Sequence, residues 1–188
     1  STPKPSSAAS DVYKRQMLVQ AVSIAFVMCV CELVSAPVMV SAAGGAFALM
    51  PWFLVACLFA VAFVYTVGFV LLWAADSFAA RLKRRDALMP LIYAVIGCVG
   101  FGIWGYCVYP ATMNSIITRA GLATLSQGDS LMIGINCAVV GLAAFFLGTA
   151  AMPRVMKSKG RIAVTAAAVI ALAVFGGVVL AMTWSHLA

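Results

Sequence analysis

The sequence carries very little charge. Charged residues make up 9% of its 188 residues, whereas a soluble domain has roughly 25%. Five residues are acidic, and His186, near the C-terminus, is the only histidine. A haem with two axial histidines and an HExxH zinc site each need two histidines, which this sequence does not supply, and we recognise no serine-hydrolase triad around His186. We therefore predict no catalytic residue, no metal site and no covalently bound cofactor in this chain.

Paired cysteines are also missing. The six cysteines form no CxxC motif, and all of them lie in apolar stretches. Cys29 and Cys31 form a CxC, but on a helix their side chains point about 200° apart, which suits neither a shared metal nor a disulfide. We interpret all six as small apolar residues: Cys29, Cys31, Cys57, Cys98, Cys107 and Cys137.

Long apolar runs dominate the chain instead. Hydrophobic residues make up 65% of the sequence, compared with roughly 45–50% in a soluble domain. They are concentrated in five runs, each near or above the ~20 residues that cross ~30 Å of hydrocarbon as a helix. These runs are Met17–Val40, Phe47–Ala75, Met89–Tyr109, Leu131–Met152 and Ile162–Ser185. The sequence therefore predicts an all-α bundle of five transmembrane helices, and not a barrel, whose strands are shorter and alternate in polarity.

Most basic residues lie in two short loops, which fall on the same side if all five runs cross the membrane. Their members are Arg81, Lys83, Arg84, Arg85, Arg154, Lys157, Lys159 and Arg161. Because basic loops stay in the cytoplasm, we predict that Asp76–Asp86 and Pro153–Arg161 are cytoplasmic and that the C-terminus lies outside a bacterial cytoplasmic membrane. Topology thereby accounts for the positive charge, so we expect the lipid bilayer and no nucleic acid as a partner.

The predicted outer side carries one long connection, Pro110–Ser130. Its middle, Asn114–Leu125, can form a short amphipathic helix along the membrane interface. Aromatic residues also gather near the predicted outer ends of the spans, and amphipathic rings prefer the headgroup level. They are Trp52, Trp104, Tyr106, Tyr109 and Trp184.

The first sixteen residues have a different character. Read back through the genetic code, Ser6–Gln16 resembles the transposon-end adapter of a common short-read sequencing library, and we interpret residues 1–16 as a non-native tail. The alternative is a genuine disordered tail rich in serine, alanine and proline. Met17 then need not be the true start. Residues 17–188, which we treat as one transmembrane domain, can be the C-terminal part of a longer, N-terminally truncated protein.

Two polar residues stand at depth in the predicted spans. Glu32 is the only carboxylate within a span, and an ionisable group in a bilayer usually faces a cavity, a partner or a proton path. The alternative is that Glu32 has no functional role. Pro37 can loosen the helix enough for the carboxylate to reach water at the outer end of the span. Asn136 is suited to an interhelical hydrogen bond or to a ligand contact. We predict that both residues belong to a ligand site or proton pathway.

Glycines form two spaced sets. The segment GFGIWG, residues 100–105, matches the GxGxxG expression, but it lies inside an apolar span and lacks the preceding strand that a dinucleotide site requires. We assign the small residues to close helix packing instead. One set is Ala94, Cys98, Gly102 and Gly105, and the other is Gly134, Gly141 and Gly148.

The layout resembles one known family. Five spans, a short basic loop before LMPLIYAVIG, an outer connection and a second basic loop before the last helix are similar to the C-terminal five of the eight helices in membrane-anchor subunits of DMSO-reductase-type molybdoenzymes. The resemblance implies a haem-free, non-catalytic anchor subunit of an anaerobic respiratory reductase. Such a subunit binds menaquinol between its helices and passes electrons to an iron–sulfur subunit and onward to a molybdopterin subunit. Glu32 is then a candidate acceptor of a quinol proton.

Two other functions fit the same features. Glycine-rich spans, a buried acid and a polar asparagine also suit the solute path of a secondary transporter, of which this chain would be a fragment. The usual aspartate of major-facilitator inner loops is absent from PRVMKSKGR, and those proteins normally end inside the cell. A structural membrane subunit without a ligand is the third interpretation.

Overall fold

Helices account for nearly all of the chain. The structure, a computed structural model, describes residues 5–79 and 85–187, and their side chains between 12–78 and 88–187. Over these ranges it contains no strand, and it is 90% helical. The helices are α1 (Pro5–Ala42), α2 (Leu49–Phe63), α3 (Phe69–Ala79), α4 (Arg85–Arg119), α5 (Gln127–Met156) and α6 (Lys159–His186).

Five continuous rods have the length and composition of membrane spans. A five-residue π-helical turn, Val64–Gly68, joins α2 to α3, so these two helices form one rod. The spans contain between 28 and 32 residues, which at 1.5 Å per residue is roughly 42–48 Å, more than ~30 Å of hydrocarbon. The predicted all-α transmembrane bundle is confirmed, and the chain is an integral, multi-pass membrane protein.

The predicted long outer connection is wrong. Helix α4 does not end before Pro110 but continues to Arg119, because a proline removes only one backbone donor and is tolerated in transmembrane helices. The connection to α5 is short, and the side-chain oxygen of Asn114 closes it by accepting a hydrogen bond from the Leu125 amide at 2.8 Å. Ser126 then caps α5 in a reciprocal arrangement with Asp129. The first half of the predicted interfacial helix, up to Arg119, is therefore the last part of a span, and residues 120–125 are not helical.

Helix α5 lies between α4 and α1, and small residues allow the close approach. A Cβ added at Gly102 would lie 2.9 Å from the Cβ of Ala138, and one added at Gly148 would lie 2.7 Å from the Cα of Ile24. The other predicted packing glycines, Gly105, Gly134 and Gly141, also lie at the α4–α5 contact. Ala94 is buried and Cys98 is half-buried.

Gly97, which the sequence analysis did not single out, belongs to the same contact. A Cβ there would lie 2.5 Å from the carbonyl oxygen of Gly141. The two backbones therefore meet with no side chain between them.

Helix α6 is peripheral. It packs mainly on α2, where a Cβ added at Gly176 would collide with the backbone of Leu54. At its C-terminal end, the Arg119 guanidinium lies 4.6 Å from the ring centroid of Trp184, a cation–π contact that ties α6 to α4. Most of its remaining surface is exposed, as expected for a helix that faces lipid or another subunit.

The N-terminal residues are helical from Pro5, in continuity with α1. Residues Val12–Gln16 are exposed, and the Tyr13 hydroxyl donates to Asp76 at 3.3 Å. Residues 1–4 and part of the first basic loop, 80–84, lie outside the described residues. The adapter origin of residues 1–16 and the single domain 17–188 remain predictions.

Candidate functional site

Glu32 is fully buried in the bundle. Its side chain is 0% exposed, although it lies within the apolar span Val12–Ala42. The carboxylate faces α4, where it contacts the hydroxyl of Tyr109, which in turn lies beside the backbone carbonyl of Ala56 on α2. Glu32 therefore does not reach water by way of Pro37, and the polar partners that a buried carboxylate requires come from the protein.

Two hydroxyl groups donate to this carboxylate. The Tyr109 hydroxyl donates to Oε1 of Glu32 at 2.9 Å, and the Ser35 hydroxyl donates to Oε2 at 3.0 Å. Each hydroxyl also has a second acceptor within reach: the Ala56 carbonyl lies 3.2 Å from Tyr109, and the Glu32 carbonyl lies 3.3 Å from Ser35. A hydroxyl has one hydrogen to donate, so each must choose between two acceptors.

This choice allows the site to hold or release a proton without losing a hydrogen bond. When Glu32 is ionised, Tyr109 and Ser35 both donate to the carboxylate. When Glu32 is protonated, its own O–H can donate to the Tyr109 oxygen, and Tyr109 can turn its hydrogen to the Ala56 carbonyl. Every polar atom in this group has a partner in both states, which is what a reversible proton site in a low-dielectric interior requires.

Aromatic rings fix the orientation of Tyr109. The ring centroids of Phe59, Trp52 and Phe101 lie 5.2, 6.1 and 6.2 Å from that of Tyr109, all with edge-on geometry. Both Tyr109 and Trp52 are buried, so their rings do not face the lipid. They form instead a rigid wall around the buried carboxylate.

Glu32, Tyr109 and Asn136 lie at a similar depth in the bundle. We call the end of the bundle that contains Ala42, Arg119 and Gln127 the outer end, after its predicted side. Glu32 is ten residues before Ala42, Tyr109 ten before Arg119, and Asn136 nine after Gln127. At 1.5 Å per residue each lies roughly 14–15 Å from the outer end of its helix.

A groove between α1 and α5 reaches this site from the membrane-facing surface. Its volume is about 380 Å³. Most of its wall is apolar and exposed on the surface of the spans: Val30, Val34, Val38 and Val139. Two polar residues line it, Ser35 from α1 and Asn136 from α5. We call it the α1–α5 groove.

Asn136 brings an unused donor to the groove. Its amide nitrogen is buried and has no hydrogen-bond partner among the described residues. Ser35 lines the same groove and contacts the Glu32 carboxylate directly. The two polar residues singled out in the sequence, Glu32 and Asn136, are thus brought to one site, with Ser35 between the carboxylate and the groove.

Sequence reasoning missed Ser35 and Tyr109 as functional residues. Ser35 follows Glu32 by three positions, so helical spacing places both on one face, and that signal was available. Tyr109 lies 77 residues away and resembles any other aromatic residue near a span end. Only packing of α4 against α1 reveals its role.

A second polar group lies toward the inner end of the bundle, which contains Phe78, Leu88 and Met156. There Asp76 accepts a hydrogen bond from the buried Tyr93 hydroxyl. Within the described part of the chain, no three His, Cys, Asp or Glu residues are close enough to hold a metal ion. Each of the two polar groups contains one carboxylate: Asp76 lies toward the inner end of the bundle, and Glu32 lies nearer the outer end.

Comparison of the chain with protein-family models, with curated proteins and with solved structures found no match. The function of this membrane protein is therefore inferred from the geometry of the Glu32 site.

Proposed function

We propose that this protein is a quinol-handling membrane subunit, in which the α1–α5 groove binds the head of menaquinol and Glu32 accepts a quinol proton. The observation that carries the proposal is the position of Ser35. Its hydroxyl lines a lipid-open groove and also donates to the buried carboxylate at 3.0 Å. A ligand dissolved in the bilayer can thus contact a proton relay without crossing the packed core.

The groove suits a lipid-soluble, weakly polar ring. Its apolar valines match a hydrocarbon ring and an isoprenoid tail, and the unpaired Asn136 amide can donate to one ring oxygen. A few placed polar groups in an apolar cleft are typical of small-molecule sites. A transporter path for a hydrophilic solute would instead be lined by polar groups and filled by water, so these walls favour the quinol over the transporter.

The proton follows the existing hydrogen bonds. Oxidation of a quinol releases two protons and two electrons as the ring becomes a quinone. One quinol hydroxyl donates its proton to the Ser35 oxygen while the Ser35 hydrogen moves to Oε2 of Glu32. The carboxyl group then rotates so that the new O–H faces Tyr109, which accepts it and turns its own hydrogen to the Ala56 carbonyl. The second proton would pass to water at the outer mouth of the groove.

The two electrons go to a redox centre on another subunit. The described residues bring no three metal-ligating side chains together, so we propose that the acceptor is an iron–sulfur partner subunit, with a molybdopterin subunit beyond it. The resemblance in span layout supports this assignment of partners. The exposed face of α6 leaves room for such a subunit to dock within the membrane.

Replacing Asn136 with leucine tests the ligand contact. The change keeps the side-chain size and removes the donor, so we expect the affinity for menaquinol to fall about tenfold, the effect of losing one hydrogen bond of ~1.4 kcal/mol. Binding would be measured by quenching of a fluorescent quinol analogue on the full chain in lipid nanodiscs, with menaquinol as competitor.

Thr183→Val is the matched control. It also removes a polar group from a span, but the Thr183 hydroxyl bonds only to its own helix, at the Val179 carbonyl. We expect no change in affinity for that variant. Equal affinity of Asn136→Leu and wild type would contradict a quinol site in the α1–α5 groove.

A further inference from the structure

The tight hairpin between α5 and α6 contains a second cavity, at the inner end of the bundle. Its volume is about 580 Å³. Arg154, from the last turn of α5, and Arg161, from the first turn of α6, line it together with Ser158. The Arg161 guanidinium donates to the Arg154 carbonyl at 3.3 Å, which holds it over the hairpin. Both arginines are exposed.

The sequence around this hairpin is strongly basic. No acidic residue occurs after Asp129, whereas Arg154, Lys157, Lys159 and Arg161 fall within eight positions of one another. Lys159 and Arg161 also occupy the start of α6, where the positive end of the helix dipole disfavours cations. An anion in the cavity would relieve both repulsions.

The same cavity has an apolar wall. Val155 and Val164 line it, and Val164 is 71% exposed. The cationic groups stand at the helix ends, whereas Ala151 and Val164, which also line the cavity, lie three residues deeper along their helices than Arg154 and Arg161. The cavity is therefore amphipathic in the direction of the membrane normal, with positive charge at the headgroup level and apolar surface at the depth of the acyl chains.

We propose that this cavity binds one anionic phospholipid. The phosphate lies between Arg154 and Arg161 and receives charge-assisted hydrogen bonds from their guanidinium groups. One acyl chain lies along Ala151 and Val164. The charge and the apolar wall together select a negatively charged lipid over a zwitterionic one, in the way that basic pockets at span ends do generally. This site is independent of the Glu32 site and of the quinol proposal.

Two double variants with equal loss of charge test the site. Arg154→Gln with Arg161→Gln removes the lining cations, whereas Lys157→Gln with Lys159→Gln removes two neighbouring cations that do not line the cavity. Binding of phosphatidylglycerol to the full chain would be measured by native mass spectrometry from a neutral detergent at physiological ionic strength, where longer-range attraction is screened. We expect the arginine pair to weaken binding about 30-fold and the lysine pair less than threefold.

Four outcomes would overturn the proposal. The two double variants could weaken binding equally, which would indicate a diffuse charge effect, or the arginine variant could bind like wild type. Phosphatidylcholine could bind as tightly as phosphatidylglycerol. Finally, inorganic phosphate could compete for the cavity as effectively as the lipid does. That result would indicate a site for free anions in which the apolar wall has no role. Unchanged melting temperatures would establish that the exposed substitutions leave the fold intact.

Discussion

Replacing Glu32 with glutamine is expected to slow menaquinol oxidation about 100-fold, the size of effect that a positioned proton acceptor supplies. Glutamine keeps the shape of the side chain and can still accept from Tyr109, while its amide nitrogen can donate to the Ser35 oxygen. It has no proton to exchange. Membrane insertion and the melting temperature should therefore be unchanged, and the rate would be measured in host membranes that contain only the variant chain.

Two further variants separate proton transfer from general polarity. Asp76→Asn removes the carboxylate of the inner polar group and should leave the rate of quinol oxidation within twofold of wild type. Tyr109→Phe keeps the aromatic ring but removes the hydroxyl that changes acceptors, so it should slow oxidation and alter its pH profile. If Glu32→Gln turns over at the wild-type rate, Glu32 is a structural acid and not a proton acceptor.

Adding a methyl group at Gly141 is expected to destabilise the bundle by about 3 kcal/mol, at the upper end of typical overpacking costs. The new Cβ would collide with the carbonyl oxygen of Gly97 and would lie 2.8 Å from the Cβ of Phe101. A backbone carbonyl cannot move away by changing a rotamer, so α4 and α5 must separate. Gly141→Ala would be compared with wild type by denaturant-induced unfolding in detergent.

Gly177→Ala provides the matched control for Gly141→Ala. It adds the same methyl group to a helix, but among the described residues the new Cβ meets no atom within 4 Å beyond the adjacent backbone of its own helix. Alanine is also the better helix former, by ~0.8–1.0 kcal/mol, so this variant should be as stable as wild type or slightly more stable. Equal destabilisation by the two variants would contradict a direct backbone contact between α4 and α5.

The number of spans could be predicted from the sequence because hydrocarbon thickness sets the length of an apolar run. The ends of the spans could not. Pro110 suggested a helix end, yet α4 continues past it to Arg119, since its neighbours tolerate one missing backbone donor. Close helix packing was predicted from the glycine spacing, but the packing of α4 on α5 and the partner of Gly141 were not, because spacing along one helix does not specify the facing residue.

The candidate site was predicted only in part. Glu32 and Asn136 stood out as polar residues in apolar spans; Asn136 lines the α1–α5 groove, and Glu32 is connected to that groove through Ser35. The hydrogen-bond exchange at Tyr109 depends on three helices meeting, from residues 32, 56 and 109. A local sequence pattern does not show which helices pack against one another.

Photolabelling with a light-activated menaquinone analogue tests the quinol site most directly. The full chain in nanodiscs would be labelled, digested and sequenced by mass spectrometry, with and without excess menaquinol. The α1–α5 groove predicts label within residues 30–38 and 136–143, and excess menaquinol should remove it. Label that persists in the presence of menaquinol, or label concentrated in the separate membrane-facing groove between Val67 and Ile103, would contradict the proposed function.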